Sequence, residues 1–172
     1  RPIAPNLTAL AARGVSYSNA YALSSYTSQS VGGFLAGKLP SELARDGSFF
    51  GIYPRSVTFF PELLRAAGVH TLAVQAHFYF RRGYAGFDQG FDVWELLPGL
   101  HPDPTTDLDI TGNRHEAAAE RLLRDPTHSG RRFFAWFHFM DPHDRYLPHA
   151  GIGPYGRTTR DRYDAEVTWT DQ

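Results

Sequence analysis

Pro61-Glu62-Leu63-Leu64-Arg65-Ala66-Ala67-Gly68-Val69-His70-Thr71-Leu72-Ala73-Val74-Gln75-Ala76 is the stretch on which the fold turns. Proline suits the start of a helix, where its missing N–H is no loss. Leu63, Leu64 and Ala67 follow at helical spacing, and Gly68 stands where the helix should stop. Val69 to Ala76 then reads as a buried strand. A helix that delivers the chain directly into a buried strand is the repeating step of a parallel α/β sheet.

The same alternation recurs outward from this point. Upstream, Asn6 is placed to cap a short helix with Leu7, Leu10 and Ala11 on one face, and Gly14 suits a left-handed end. Val15, Tyr17 and Asn19 alternate with Ser16, Ser18 and Ala20, which predicts a strand leading into a loop over 23–26. A helix over 28–36 follows, despite Gly32 and Gly33. Downstream, residues 78–111 are rich in Gly, Pro and Asp, with aromatics throughout, and read as a long surface excursion. Asn113 is placed to cap an alanine-rich helix to Arg124, the run from Arg132 to Met140 reads as a strand covered on both faces, and the chain turns helical again from Tyr163. The expectation is an α/β architecture with a largely parallel sheet and functional groups on loops at the strand ends.

The 172 residues are enough for one domain with a real core, since a chain of this size buries roughly 70% of its extended surface. A net charge of −1 gives no footprint for nucleic acid or an anionic membrane, so no nucleic-acid partner is expected. No stretch approaches the ~20 apolar residues of a membrane span. The absence of cysteine excludes disulfides, thiolate metal sites and a cysteine nucleophile within these residues. The opening at Arg1 and the stop at Gln172 inside a helical run lead us to expect a piece of a longer chain, truncated at both ends.

Two clusters could carry chemistry. Thr27 sits at a predicted strand-to-helix turn among Ser24, Ser25, Ser28 and Ser30. The N–H groups and positive end of the following helix favour a tetrahedral oxyanion there, and a hydroxyl ionised by a metal or base could attack it. The plain alternative is a serine-rich capping loop. The second cluster, Phe137-His138-Phe139-Met140-Asp141-Pro142-His143-Asp144-Arg145-Tyr146, sets two histidines and two carboxylates at the exit of a strand. Alternation turns His138 toward the core and leaves His143 on the loop, either to protonate a departing alkoxide or simply to cap a turn. Asp88, Asp92 and Glu95 read first as turn residues, Arg81 and Arg82 as solvated cations, and Asp103, Asp107 and Asp109 as loop carboxylates. His77 closes the central strand, within possible reach of a site.

Several motifs in order resemble the sulfatase family of the alkaline phosphatase superfamily. Pro5-Asn6-Leu7, Leu10-Ala11-Ala12-Arg13-Gly14-Val15 and Asn19-Ala20-Tyr21-Ala22 look like the opening of sulfatases. Leu35-Ala36-Gly37-Lys38-Leu39-Pro40 resembles their segment after the nucleophile. Phe87-Asp88-Gln89-Gly90-Phe91-Asp92 is similar to their Gly-Phe-Asp repeat, and Phe139 to Pro148 to their Asp-Pro-His loop. Tyr163-Asp164-Ala165-Glu166-Val167 with Thr170-Asp171 resembles the helix that follows that loop.

The resemblance implies an alkaline-phosphatase-like three-layer sandwich, residues 1–172 forming part of one catalytic domain. By family spacing Thr27 falls at the residue matured to formylglycine, and it replaces the cysteine or serine that maturation needs. Gln29 and Val31 replace the motif's Pro and Arg, and Ala76-His77 stands where many arylsulfatases have Lys-Trp-His, so formylglycine is not expected. The implied catalytic residues are Thr27 and His143, with Ser28, Lys38, His77 and Asp141 against the substrate. Thr27 is the metal-contacting position, its co-ligands lying outside these residues. The implied cofactor is a divalent ion, Ca²⁺ for sulfatase-type chemistry, Zn²⁺ or Mn²⁺ for phosphoryl-type. The implied partner is a small-molecule, glycan or lipid ester, in a periplasmic, cell-envelope or extracellular setting. Two alternatives stay open: a phosphoethanolamine- or glycerophosphate-type transferase with a threonine nucleophile, and a non-catalytic binding domain that kept the fold.

Overall fold

The computed structural model describes residues 2–46, 50–143, 145–152 and 155–172. They form two compact units, one of Tyr21–Asp109 with Asn113–Phe139, the other of the stretch ending at Ala20 with Ile110–Gly112 and Met140–Gln172.

The larger unit holds the sheet. Three strands, β1 (His70–Gln75), β2 (Val93–Leu96) and β3 (Phe133–His138), lie in the order β2-β1-β3, all parallel, with Leu72 opposite both Val93 and Ala135. The central strand β1 is buried at every residue, with apolar Leu72, Ala73 and Val74 at its middle and the polar His70, Thr71 and Gln75 buried at its ends. Helix α3 (Phe60–Ala66) feeds β1 through Gly68 in the left-handed conformation, as the opening stretch predicts. Pro61 lies in its first turn, and Glu62 reaches back to the Phe59 N–H at 2.8 Å. β3 corrects an expectation: it is an edge strand in the described sheet, and its residues are exposed to half-buried rather than covered on both faces.

The segment 78–111 also departs from the sequence reading. It contributes β2 and much of the core, because Tyr79, Phe80, Phe87, Phe91 and Trp94 pack with Tyr53 and Phe59 into one aromatic cluster. Gly86 and Gly90 explain how so glycine-rich a stretch lies so deep. Both are left-handed, and a Cβ would come within 2.3 Å of the Tyr53 carbonyl oxygen at the first and 2.2 Å of the Glu62 nitrogen at the second. The turns of this Gly-Phe-Asp repeat let its phenylalanines enter the core.

The remaining helices are α1 (Pro5–Ala11), α2 (Thr27–Ala36), α4 (Gly112–Arg124), α5 (Pro126–Ser129) and α6 (Thr159–Thr170). In the smaller unit α1 starts at Pro5, so Asn6 is inside the helix and is not its cap. The carboxylate of Asp171, at the end of α6, accepts the Asn6 and Leu7 N–H groups at 2.7 and 2.8 Å, placing a negative charge at the positive end of α1. Gly14 is not left-handed, and the predicted strand over 15–20 is irregular chain, with Val15 and Tyr17 both nearly four-fifths exposed. Alternation alone makes no strand without a neighbour to pair its N–H and C=O groups. α4 likewise starts at Gly112 and not at Asn113, and α6 begins four residues earlier than predicted, behind a capping box of Thr158 and Asp161.

Candidate active site

Thr27 is the first residue of α2, entered from Tyr26 in extended conformation. Its side chain is half-buried, and its hydroxyl makes no hydrogen bond among the described residues. No side chain caps the helix; Ser24 Oγ instead accepts the Tyr26 N–H at 3.1 Å and organises the turn before it. The first-turn N–H groups of α2 thus stand beside a hydroxyl without a side-chain acceptor. The helix is fixed from behind. A Cβ on Gly32 would fall 2.2 Å from the Tyr53 ring, and the Tyr53 hydroxyl donates to the Ser28 carbonyl at 2.9 Å. Burial, partly opposed by Arg45, pushes the Tyr53 hydroxyl up, so it remains a proton donor. The two glycines that lower helix propensity are what let α2 sit this close to the core.

The other residues proposed from sequence in this unit have other occupations. Ser28 is buried and its hydroxyl bonds to Tyr79. His77 uses both ring nitrogens, Nδ1 accepting from the Tyr79 N–H at 3.2 Å and Nε2 donating to the Thr106 carbonyl at 2.9 Å. Lys38 is exposed after left-handed Gly37 and lines a cavity of about 370 Å³ with Glu42, Val57 and Leu63.

Asp141 and His143 belong to the smaller unit. Asp141 is buried, and its Oδ2 accepts the Thr111 N–H at 3.0 Å, the Thr111 hydroxyl at 2.8 Å and the Gly112 N–H at 2.9 Å. His143 is exposed, on the turn that follows a cis Asp141-Pro142 bond. Asp144, the second carboxylate of that cluster, lies outside the described residues.

What holds this turn is a residue that the chemical reading of the sequence passed over. Glu166, buried on α6, accepts the His143 N–H at 3.3 Å through one oxygen, and the Leu147 N–H and His149 Nε2, both at 3.2 Å, through the other. His149 in turn stacks on Trp169 at 4.0 Å. Between the two clamped N–H groups, Arg145 and Tyr146 are left-handed at φ 78° and 37°. Non-glycine residues there cost about 1–3 kcal/mol each and persist only where neighbours impose them. Removal from water raises the Glu166 carboxyl, the nearby Asp141 carboxylate adds to the rise, and the His149 and Leu147 hydrogen bonds oppose it. Donor atoms of Asp141, His149 and Glu166 lie within 4.8 Å of one another, near enough to share a divalent ion. Their hydrogen bonds also make these carboxylates anchors of the 141–149 loop. The signal for this anchor in the sequence was slight: His149 follows Pro148, and Glu166 stands 17 residues further on.

Asp92, read from sequence as a turn residue, accepts from His70 Nδ1 at 3.0 Å and from the Thr71 N–H at 3.1 Å. Glu95 pairs with Arg121, and Arg81 lies over the Tyr84 ring at 3.4 Å.

No curated protein sequence matches the chain. Residues 1–172, the whole chain, match the family profile described as Sulfatase.

Proposed function

The chain belongs to the sulfatase family, and from that premise we propose that it cleaves a sulfate ester with Thr27 as nucleophile and His143 as proton donor. Sulfatase-like hydrolysis in an alkaline-phosphatase-like α/β fold is the family's general character, and a divalent ion is its usual cofactor. The observation that carries the specific reading is the Thr27 hydroxyl, free of hydrogen bonds among the described residues at an uncapped helix start. Thr27 Oγ gives up its proton to solvent and forms a bond to sulfur as the ester oxygen departs with the bonding pair. That oxygen takes a proton from His143, and water then releases sulfate from the threonine. The helix N–H groups face the oxygens on which charge gathers. One neutral hydroxyl cannot hold a divalent ion by itself, so further ligands would complete the site. Bound there, the ion would favour the ionised hydroxyl. Ca²⁺ suits a site of oxygen ligands.

A second reading is favoured by the same residue. Threonine where the family pattern has cysteine or serine fits a phosphothreonine intermediate, and with it phosphate-ester hydrolysis or phosphoryl transfer with Zn²⁺ or Mn²⁺. We assign the protein to a periplasmic, cell-envelope or extracellular setting, with a small-molecule, glycan or lipid ester as substrate. Turnover of 4-nitrophenyl sulfate, 4-nitrophenyl phosphate and bis(4-nitrophenyl) phosphate by the full-length protein, with and without added metal, separates the two readings. Thr27→Ala is expected to lower turnover by about 10³-fold or more and to abolish a covalent adduct found on Thr27 by mass spectrometry. Unchanged turnover in that variant removes the mechanism.

A further inference from the structure

The smaller unit contains a cavity of about 610 Å³ between the loop after His143 and the first turns of α6. It is lined by Arg145, Tyr146, Ile152, Tyr155, Arg162 and Ala165, with His149 and Asp161 also reaching its wall. That volume lies within the range of sites that enclose small organic ligands. From its lining we infer that this cavity is a binding site for an organic anion with an aromatic or similarly flat apolar body.

Three observations support the assignment. First, the walls are held in place from behind. The Tyr155 hydroxyl bonds to Thr168 Oγ1 at 3.0 Å, Tyr146 packs edge-on against Tyr163 at 5.4 Å, and His149 is fixed by Glu166 and Trp169. A ligand entering such a cavity orders little that is not already ordered. Second, the guanidinium groups of Arg145 and Arg162 have no partner among the described residues, while the Asp161 carboxylate is engaged by the Thr158 hydroxyl and N–H. Two arginines unpaired among the described residues, beside tyrosine rings, offer both a fork for an anionic group and cationic faces for a ring. Third, the left-handed backbone at Arg145 and Tyr146 is imposed by the Glu166 clamp at either end of their turn. Backbone held in this region clusters at ligand sites, and here it belongs to the two residues that contribute a cation and a ring to the cavity.

Titration calorimetry with 2-naphthalenesulfonate, a non-hydrolysable aromatic anion, tests the assignment, with 2-naphthalenemethanol and inorganic sulfate as separate arms. One saturable site is expected for the sulfonate, with affinity at least about tenfold weaker for each of the other two. The double variant Arg145→Ala/Arg162→Ala should weaken sulfonate binding at least about tenfold with an unchanged far-ultraviolet spectrum, and Arg145→Lys/Arg162→Lys should fall between. Equal affinity for the neutral alcohol, equal affinity for sulfate alone, no saturable binding, or an unaffected double variant each overturns it. Thr27→Ala should leave this binding unchanged, so the cavity and the proposed nucleophile stand or fall separately.

Discussion

Asp92 beside β2 and Glu166 on α6 are built from the same parts, yet their carboxyls move in opposite directions. Asp92 accepts the Thr71 N–H, the Thr71 hydroxyl and a histidine nitrogen, and Glu166 accepts two backbone N–H groups and a histidine nitrogen. Burial works to raise Asp92, but the Thr71 and His70 hydrogen bonds outweigh it, and the group ends below the ordinary carboxylate range. At Glu166 burial prevails and the Asp141 carboxylate adds to it, so the group ends above. The difference follows from surroundings, because the Asp92 side chain is 33% exposed with no carboxylate among the causes of its shift, whereas Glu166 is 3% exposed beside one. Similar first contacts therefore make one carboxylate a source of stability and the other a charge held at a cost.

The largest effect should come from removing the costly one outright. Glu166→Ala leaves the His143 N–H, the Leu147 N–H and His149 Nε2 without their acceptor in a largely buried setting. Chemical denaturation should show a loss of about 3 kcal/mol, since removing one partner of a buried pair leaves the other groups desolvated and unpaired. Hydrogen exchange should quicken first at the 143 and 147 amides. Glu166→Gln, which keeps an acceptor oxygen, should lose roughly half as much. Equal, small losses in both variants would mean that the turn is held by something other than Glu166.

The next effect sharpens the contrast through pH. A carboxyl lowered on folding gives stability that is fully present above its unfolded value and is lost as pH falls through the folded one. Asp92 should therefore contribute at neutral pH and fail only below the ordinary carboxylate range. A carboxyl raised on folding does the reverse: its charge weakens the fold above the raised value, and acidification toward the ordinary value relieves that. Between those two values the smaller unit should gain stability as pH falls, and Glu166→Gln should flatten that slope. Asp92→Asn should flatten the low-pH loss instead and cost about 1 kcal/mol at neutral pH, in keeping with a partly exposed pair. Residue-resolved hydrogen exchange across the acid range reads both slopes, and slopes of the same sign would break the comparison.

The sequence made these two sites unequally visible. Local signals read well where local physics decides the outcome: Gly68 and Gly37 are left-handed at helix ends, the stretch at 69–76 holds the buried central strand, and α2 forms despite its glycines. Readings failed where distant partners decide. Residues 15–20 alternate but have no strand beside them, and β2 escaped notice because four residues in a Gly- and Asp-rich stretch earn pairing only from β1. Thr27 was legible at a helix start because Val31, Phe34 and Leu35 recur at helical spacing after it, although the strand expected before it is irregular chain. Glu166 was legible only as a helix residue, since its partners lie 17 to 23 positions away and no periodicity links them. His70 and Asp92 were separated in the same way, by 22 positions.

The smallest effect concerns what stands behind the Asp92 partner. His70 Nε2 lies 3.0 Å from His128 Nδ1, and the rings are 5.2 Å apart and only 13° from parallel. A nitrogen separation that short across centroids that far apart means that the rings meet edge to edge and nearly coplanar, with one hydrogen between them. Asp92 accepts the hydrogen bond of His70 Nδ1–H, so in the neutral pair Nε2 is the acceptor and His128 is the donor. His128→Ala removes that donor at a half-buried position where water can replace it, so the loss should stay below about 1 kcal/mol. Nitrogen NMR should still find His70 protonated at Nδ1 in this variant, because the carboxylate that sets the tautomer is intact. In Asp92→Asn the tautomer preference should weaken even though His128 remains. If instead His128→Ala shifts the His70 tautomer and Asp92→Asn does not, the order of control along this chain of three groups is reversed, and Asp92 loses the role that distinguishes it from Glu166.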